Sequence, residues 1–476
     1  MVASQNSPLA QPKGLWVLFI TEMWERFSYY GMRALLVFYL IASTQEELAS
    51  GNPGFGWSEE SAYLLYGIYT WAVYVTPILG GILADRYLGT HRSMLLGGWI
   101  IAAGHCLLAA TDLFGITAGE AVTLQTGPGA LLCFMAGLAL IVIGTGFFKP
   151  CVSVMVGQLY GPGDPRRDGG FTIFYVGINV GALLAALVAG TLGEVYGWHY
   201  GFGAAAVGMI LGIIVYQARR SRYLGEIGLK PARTENMGAA FDRSSWALSR
   251  VEWQRIAVIL ILAFFGNVAF WTAFEQAGSS MNVFALQSTD RTLWGWLAEP
   301  FPATWYQSLN PLSVIVFGFP FAWGWALLRR RGLEPSTPMK FAIGLWLAGL
   351  SFIALVFGAI EARSGLAGPH WLLITYVVYT WGELCLSPVG LSLVTKLAPA
   401  QLQSFFMGVW FFTFSLGNLL AGLVARYSVR LEAGESTFVI GGLPGFYLFL
   451  VVMPIAVGFL VLGLTPLLKR WMHGVS

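Results

Sequence analysis

Twelve stretches of this chain are apolar over about 20 residues or more, and this repetition constrains the fold more than any other feature. They run approximately over residues 14–43, 61–84, 92–112, 129–160, 169–192, 199–218, 254–287, 305–328, 339–361, 369–396, 402–427 and 444–468. Each is long enough to cross the hydrocarbon core of a bilayer as a helix. Lipid-exposed backbone must satisfy its own hydrogen bonds, which favours helices over open sheets. We therefore predict an all-α, multi-pass membrane protein.

The composition agrees with this prediction. Of the 476 residues, 56% are hydrophobic and only 11% are charged, whereas soluble domains carry roughly 25% charged residues. The net charge of +3 is too small to favour nucleic acid as a partner. Four cysteines lie inside apolar stretches, where we expect free, buried thiols rather than disulfides. They are Cys106, Cys133, Cys151 and Cys385.

The longest stretch without a span, residues 219–250, divides the twelve segments six and six. We expect an N-terminal six-helix bundle over 1–218, a cytoplasmic linker over 219–250 and a C-terminal six-helix bundle over 251–476, which is the layout of the major facilitator fold. If the N-terminus is inside, 20 Lys and Arg residues fall on the cytoplasmic side and four on the other. The positive-inside rule then predicts that both termini are cytoplasmic.

The first predicted span carries polar residues along one side. Their spacing of three or four residues places them on one stripe of a helix. They are Glu22, Glu25, Arg26, Tyr29, Tyr30 and Arg33. A charged group facing lipid at mid-depth would cost roughly 2.5–3.5 kcal/mol, so we expect the four charges to face one another or an aqueous cavity. Ion pairs that only hold helices together are an alternative, but such pairs rarely stabilise more than apolar packing does.

Three more ionisable residues, Lys149, Glu275 and Glu383, lie deep in other spans. With the first span they make four acids against three bases, a formal charge of −1. One proton would neutralise this set, and a zwitterionic ligand would leave it neutral. We expect Arg33 and Lys149 to bind the carboxylate of a peptide, and the two glutamates of the other bundle to bind its amino group. The alternative for a lone glutamate is an anchor at a helix end.

Aromatic residues would accept the side chains of such a peptide. Candidates are Tyr29, Tyr30, Tyr66, Tyr74, Trp305 and Trp410. Each has an alternative role in packing or at the membrane interface. At the inner end of the second span, the stretch from Gly80 to Gly89 matches the short loop of major facilitators. We expect its Asp85 and Arg86 to latch neighbouring helices in one conformational state.

Four motifs resemble the proton-dependent oligopeptide transporter family of the major facilitator superfamily. They are Glu-x-x-Glu-Arg-Phe-x-Tyr-Tyr-Gly from Glu22, Gly-x-Phe-Lys-Pro around Lys149, Phe-Tyr-x-x-x-Asn-x-Gly from Phe174 and Glu-Leu-x-x-Ser-Pro-x-Gly-Leu-Ser from Glu383. Spread over the whole chain, they imply proton-driven import of di- and tripeptides by alternating access. The protein would be a monomer in the bacterial inner membrane, driven by the proton gradient and without a cofactor.

The resemblance also implies roles for individual residues. Glu22, Glu25 and Arg26 would take part in proton coupling, with Lys149 exchanging partners among them. Arg33 and Glu275 would form a salt bridge that protonation weakens. The residues implied to bind substrate are Tyr30, Tyr74, Asn179, Asn310, Glu383 as receiver of the amino terminus, and Ser387. The chain departs from the family in two ways: its linker is too short for the extra helix pair of many bacterial members, and Cys151 stands where Asn is common.

Three other functions remain as alternatives. A transporter of the same fold could carry nitrate or a drug-like anion, although members with changed substrates often lose the acidic motif of the first span. An intramembrane enzyme is disfavoured because the chain has neither HExxH nor GxSxG. Its five histidines lack metal-ligand spacing, so we predict no metal site and no catalytic residue. A receptor is disfavoured because we find no soluble output domain.

Overall fold

In the computed structural model, the described residues are 10–43, 52–114, 116–118, 121–123, 128–161, 164–231, 248–399 and 402–474. These residues form fourteen α-helices. In chain order they are α1 (Lys13–Ile41), α2 (Glu59–Leu83), α3 (Thr90–Ala110), α4 (Pro128–Gln158), α5 (Arg167–Leu184), α6 (Trp198–Tyr223), α7 (Arg250–Ile261), α8 (Val268–Phe274), α9 (Ser280–Gln287), α10 (Leu309–Arg330), α11 (Thr337–Glu361), α12 (His370–Leu397), α13 (Gln403–Glu432) and α14 (Leu443–Met472).

Short segments of other helix types extend or interrupt these helices. The π-helical segments are Ala84–Leu88, Ala185–Ala189, Leu192–Tyr196 and Leu262–Asn267, and the 3₁₀ segments are Thr111–Phe114, Glu275–Gly278 and Ala303–Ser308. The small antiparallel hairpin between α3 and α4 consists of β1 (Ile116–Ala118) and β2 (Ala121–Thr123), with Thr117 opposite Val122.

Eleven helical stretches among the described residues are long and apolar enough to span a membrane. The helix α1 is the twelfth predicted span, and its polar stripe lowers its hydropathy. The prediction of an all-α, multi-pass membrane protein is confirmed. The largest differences at span ends are about five residues. One occurs where α6 continues to Tyr223, because arginines form helix readily and their long side chains reach water from a helix end.

The chain divides into two compact units. Unit 1 comprises Met1–Gly56 and Val75–Thr234, and unit 2 comprises Trp57–Tyr74 and Glu235–Ser476. The first part of α2 therefore belongs to unit 2 and the rest to unit 1. The predicted bundle boundaries at 218 and 251 stay a prediction, because residues 232–247 of the linker, with Arg233 and Arg243, lie outside the described residues.

Within unit 1, α1 packs against α5 and α6, and α3 packs against α4 and α6. The helices α3 and α4 meet at Gly97 and Gly144: a Cβ on Gly97 would lie 2.5 Å from the carbonyl oxygen of Gly144. Small residues at membrane helix crossings allow this backbone approach, and the Ser93 hydroxyl adds a hydrogen bond of 3.2 Å to the Phe147 carbonyl oxygen. The crossing fixes α4, the helix that carries Lys149.

Within unit 2, α11 packs against α12 and α14, and α13 packs against α8. The first part of α2 joins this unit through α13. A Cβ on Gly67 would lie 3.0 Å from the Cα of Gly422, and the Arg426 guanidinium pairs with the Glu60 carboxylate. This packing holds Tyr66, one of the candidate residues, inside unit 2.

The four cysteines are free, as predicted, but one is not buried. Cys106 is exposed on the surface of α3. The reason is rotational: Gly104 faces α4, and a residue two positions further along points about 200° around the helix axis. An apolar stretch shows that a residue lies in a span, but not which side of the helix it occupies.

Candidate functional site

The polar stripe of α1 is buried, as its composition predicts. Glu22, Glu25, Arg26 and Arg33 each expose at most 5% of their surface. The Arg26 guanidinium pairs with both acids, with its Nη2 2.6 Å from Glu25 Oε1 and its Nε 3.2 Å from Glu22 Oε1. Among the described residues, Glu22 Oε2 accepts no hydrogen bond. The stripe is thus a compact charge cluster in which one carboxylate oxygen stays available to a proton.

The two tyrosines of the stripe lie against its cations. The guanidinium carbon of Arg26 is 5.2 Å from the ring centroid of Tyr29, and that of Arg33 is 5.4 Å from Tyr30. The two rings pack edge to face, with centroids 5.2 Å apart. Cations over aromatic faces are attracted by the ring quadrupole, which orients both guanidinium groups.

Two more residues of the predicted site lie near this cluster in unit 1. The Lys149 side chain on α4 is half-buried and close enough to Glu22 to interact with it electrostatically. Asn179 on α5 is 6% exposed, and its Nδ2 donates to the carbonyl oxygen of Tyr175 at 3.0 Å. Gly181 permits the close approach of α5 to α1, since a Cβ there would lie 2.2 Å from the Met23 carbonyl oxygen.

The predicted gating pair lies at the end of α2, in the π-helical segment Ala84–Leu88. Asp85 and Arg86 are both exposed, and neither forms an ion pair within the described part of unit 1. The segment ends at Gly89, whose positive φ of 75° suits glycine and whose N–H donates to the Ala84 carbonyl oxygen. The gating role of Asp85 and Arg86 stays a prediction.

In unit 2, Glu275 begins a break in its span. The span Arg250–Gln287 contains the 3₁₀ segment Glu275–Gly278 between α8 and α9. Glu275 is 2% exposed, and its Oε2 accepts a hydrogen bond of 3.3 Å from the Tyr66 hydroxyl. Gly278 makes room for that tyrosine, because a Cβ there would lie 1.9 Å from its hydroxyl oxygen. Broken helices inside a bilayer are tolerated where neighbouring groups satisfy the freed backbone, and they often carry ion sites.

A second polar pair in unit 2 joins two residues that the sequence placed at the peptide site. Asn310 Nδ2 donates to Glu383 Oε2 at 2.9 Å and lies 3.0 Å from Thr380 Oγ1. Glu383 is 8% exposed. The pair bridges α10 and α12, so the Glu383 carboxylate is oriented before any ligand arrives. A preoriented carboxylate can accept the hydrogen bonds of an ammonium group.

The other candidates in unit 2 have diverse surroundings. The Tyr74 and Phe414 rings are stacked, with their centroids 6.4 Å apart. Ser387 is half-buried one turn beyond Glu383 on α12. Trp410 is fully buried where Gly390 makes room for its ring, whereas Trp305 is 39% exposed. Their roles as walls of a peptide site stay a prediction.

Two polar residues of this region were not predicted from the sequence. Thr380 accepts a hydrogen bond from Asn310 and lies one turn before Glu383 on α12. Residues three apart lie on the same face of a helix, so the sequence spacing alone could have placed Thr380 beside Glu383. Gln276 follows Glu275, and its Nε2 donates to the carbonyl oxygens of Thr272 and Ala421 at 3.1 and 3.0 Å. Its role is to satisfy backbone at the helix break, which no pattern in the sequence reveals.

The two units therefore each hold buried ionisable groups inside membrane-spanning helices. Among the described residues, no group of His, Cys, Asp and Glu side chains could hold a metal ion. What these groups can do is take up and release protons and bind a ligand of either charge. Groups of this kind in spans mark solute and proton pathways.

Comparison with known proteins gives consistent matches along the chain. The sequence profile of the POT family matches residues 91–241 and 233–439. The chain is 38% identical to an uncharacterized transporter, YclF, of Bacillus subtilis, over 99% of this chain and 97% of that protein. It is 35% identical to the peptide transporter YePEPT of Yersinia enterocolitica (90% and 91% covered) and 34% identical to a di-/tripeptide transporter of Lactococcus lactis (95% and 97% covered).

Solved structures with similar folds are also of POT transporters. A crystal structure of a peptide transporter POT in complex with sulfate superposes with a TM-score of 0.82 at 36% identity, covering 99% of this chain and 98% of that one. A POT family transporter in complex with a thioalcohol conjugated peptide gives a TM-score of 0.81 at 28% identity, covering 96% and 97%.

Proposed function

The chain belongs to the POT family of major facilitator transporters, and from this premise we propose that it imports di- and tripeptides together with protons. It is a multi-pass membrane transporter and not an enzyme. One observation carries the proposal: six ionisable side chains inside membrane spans are at least 92% buried, and all belong to the predicted site. They are Glu22, Glu25, Arg26, Arg33, Glu275 and Glu383.

The two charged ends of the peptide are assigned to different residues. Arg33 and Lys149 bind the terminal carboxylate. Glu383, oriented by Asn310, binds the terminal amino group. Both ends of a peptide are charged whatever its sequence, so this arrangement accepts many side chains. The aromatic candidates contact those side chains.

Proton coupling is assigned to two places. The cluster of Glu22, Glu25 and Arg26 has a carboxylate oxygen that accepts no hydrogen bond among the described residues, and Glu275 lies at a helix break beside Tyr66. Protonation within the cluster weakens the pairing with Arg26, and protonation of Glu275 removes a buried charge beside Tyr66. Either step changes which helix arrangement is favoured. Alternating access of the substrate site follows from that change.

The setting proposed is the bacterial inner membrane, with both termini cytoplasmic and the protein monomeric. The helices α6, α10, α12 and α14 would all end on the cytoplasmic side, and each has basic residues in its last turn; α13 would end on the opposite side and has Arg430 there. The positive-inside rule favours the orientation with more basic residues in the cytoplasm.

The test is uptake of a labelled dipeptide into proteoliposomes, with and without an inward proton gradient. The wild-type protein should accumulate dipeptide only with the gradient. Glu275→Gln should lose accumulation but retain counterflow, because exchange of peptides needs no net proton movement. Glu299→Gln, an exposed glutamate with the same substitution, is the matched control and should behave as wild type.

Two results would contradict the proposal at different levels. Concentrative uptake by Glu275→Gln equal to that of the control would remove Glu275 from coupling while leaving peptide transport intact. Absence of gradient-driven uptake of any di- or tripeptide by the wild-type protein would refute the function itself.

A further inference from the structure

A cavity of about 650 Å³ lies in unit 2 where four helix ends meet. Arg329 is in the last turn of α10, Lys396 in the last turn of α12 and Lys469 in the last turn of α14, while Lys340 is near the start of α11. Glu334 is the one acid among the described residues that line this space, so its lining carries a net charge of +3. We refer to it as the basic cavity.

Three of these cations have an ordinary explanation. Arg329, Lys396 and Lys469 lie at helix C-termini, where a positive charge offsets the negative end of the helix dipole, and on the side where the positive-inside rule places such residues. For Lys340 the positive-inside rule applies but the helix dipole gives no explanation. This lysine lies near the N-terminus of α11, where the dipole is already positive, and it is only 9% exposed. The structure therefore concentrates positive charge at this point.

The single acid of the lining is engaged with two of the cations. Glu334 Oε2 is 2.6 Å from Arg329 Nε, and its Oε1 is 2.7 Å from Lys340 Nζ. The Lys340 ammonium also lies 4.9 Å from the ring centroid of Trp325. These contacts hold Lys340 and Arg329 in place.

Hydrogen-bond donors complete the lining. Ser336 is the N-cap residue of α11, and its side chain does not cap the helix. Pro338 has no N–H and the Lys340 N–H donates to the Ser336 carbonyl oxygen, so Thr337 and Met339 supply the first-turn N–H groups that have no acceptor within the helix. The Ser336, Thr337 and Ser392 hydroxyls line the same cavity. Cations together with helix N-terminal N–H groups form the usual environment of a bound phosphate. Basic pockets between membrane helices on the cytoplasmic side bind anionic lipid headgroups.

We propose that the basic cavity binds a phosphate-bearing anion, whose phosphate contacts Lys396, Lys469 and the first turn of α11. The group is either the headgroup of an anionic phospholipid or a soluble phosphate. The cations of the cavity lie far from the Asn310–Glu383 pair, because Arg329 lies 19 residues after Asn310 along α10, about 28 Å, although the lining reaches Pro388, next to the candidate Ser387. A bound anion joins the ends of α11, α12 and α14 and so stabilises unit 2.

The experiment measures binding to delipidated protein in a neutral detergent by native mass spectrometry and by the shift in Tm. Three probes are compared: phosphatidylglycerol, phosphatidylcholine with the same acyl chains, and inorganic phosphate. The test variant is Lys396→Gln with Lys469→Gln, since both lysines line the cavity and are exposed. The matched control is Arg330→Gln with Arg331→Gln, which removes the same charge from exposed residues outside the lining.

Phosphatidylglycerol should bind and raise Tm, and phosphatidylcholine should not. Each nearby cation contributes about 1 kcal/mol to binding of anionic lipid, so the test variant should bind roughly 30-fold more weakly while the control stays close to wild type. If inorganic phosphate also raises Tm and displaces the lipid, the site takes soluble phosphate as well. If phosphate has no effect, the site takes the lipid headgroup. Equal binding by the test variant and the control, for both probes, overturns the proposal, and an unchanged Kd for dipeptide shows that both variants are folded.

Discussion

Replacing Glu383 by Gln tests the proposed amino-terminal site most directly. Glutamine has nearly the same size and keeps an oxygen that can accept the hydrogen bond of Asn310, which is 2.9 Å long in the wild-type protein. The substitution therefore removes the charge and leaves the packing of a residue that is only 8% exposed. A hydrogen bond to a charged group contributes about 1.5–3 kcal/mol, against about 1 kcal/mol for a neutral one.

The expected loss depends on the ligand. A free dipeptide presents an ammonium group to Glu383, whereas in Glu383→Gln the side-chain oxygen is taken by Asn310 and the NH₂ group cannot accept from the ammonium. The whole charged hydrogen bond is lost, so the Kd of the free dipeptide should rise roughly 10-fold to 150-fold in this variant. An N-acetylated dipeptide has no ammonium group, and its Kd should change by less than about threefold. Both values can be measured by calorimetry or by competition with a labelled dipeptide at pH 7.

The control is Thr380→Val, which removes the other acceptor of the Asn310 amide without changing charge. It should weaken the binding of free and N-acetylated dipeptides slightly and equally, because it disturbs the orientation of the Asn310–Glu383 pair without changing the charge of Glu383. If Glu383→Gln raises the Kd of free and N-acetylated dipeptides by the same factor, Glu383 has only a structural role in the site, and its assignment to the amino group is wrong.

Three further predictions concern the carboxylate site, the packing of α1 and the basic cavity. Arg33→Ala or Lys149→Ala should raise the Kd of free dipeptides at least 10-fold more than that of dipeptide amides, and equal losses would contradict the carboxylate assignment. Gly181→Ala, which places a methyl group 2.2 Å from a carbonyl oxygen of α1, should lower Tm and uptake, whereas Gly203→Ala, with its nearest neighbour at 4.0 Å, should do neither. The hydrogen bond from the guanidinium at the end of α10 holds the pKa of Glu334 at about 2, below its ordinary 4.5. Its ionised form therefore stabilises the fold above about pH 4.5 and stops doing so as pH falls toward 2, so the Tm advantage over Glu334→Gln should shrink below pH 4.

The sequence predicted most of the fold because the signal for a membrane span is long and physical. A stretch of about 20 apolar residues can form few structures other than a membrane-spanning helix, and the predicted helix ends agree with the observed ones to within a few residues. The clearest error was Cys106, which lies in a span as predicted but faces outward. Periodicity is weak in a span that is apolar on all sides, so the facing of a single residue depends on neighbours that are distant in the sequence.

The candidate site was predictable where residues violate the rule for membrane spans. Charged groups in apolar helices stand out, which is why the α1 stripe and Glu383 were identified without the structure. The pairing of Asn310 with Glu383 was not predicted, because a neutral amide is inconspicuous and its partner is 73 residues away. Tyr66 was selected as an aromatic wall residue, whereas its described hydrogen bond makes it the neighbour of Glu275. Side-chain partners are set by helix packing, which one sequence does not encode locally.

The helix break after Glu275 also bears on how the protein is assembled during synthesis. Gln276 bonds the Ala421 carbonyl oxygen, which the ribosome adds 145 residues later. A polar amide inside a bilayer is unfavourable until its partners are present, so this span cannot settle into its final packing while only the earlier helices have been made. A chain that stops before α13 consequently leaves this buried amide without its Ala421 acceptor, however many of its spans have already been inserted.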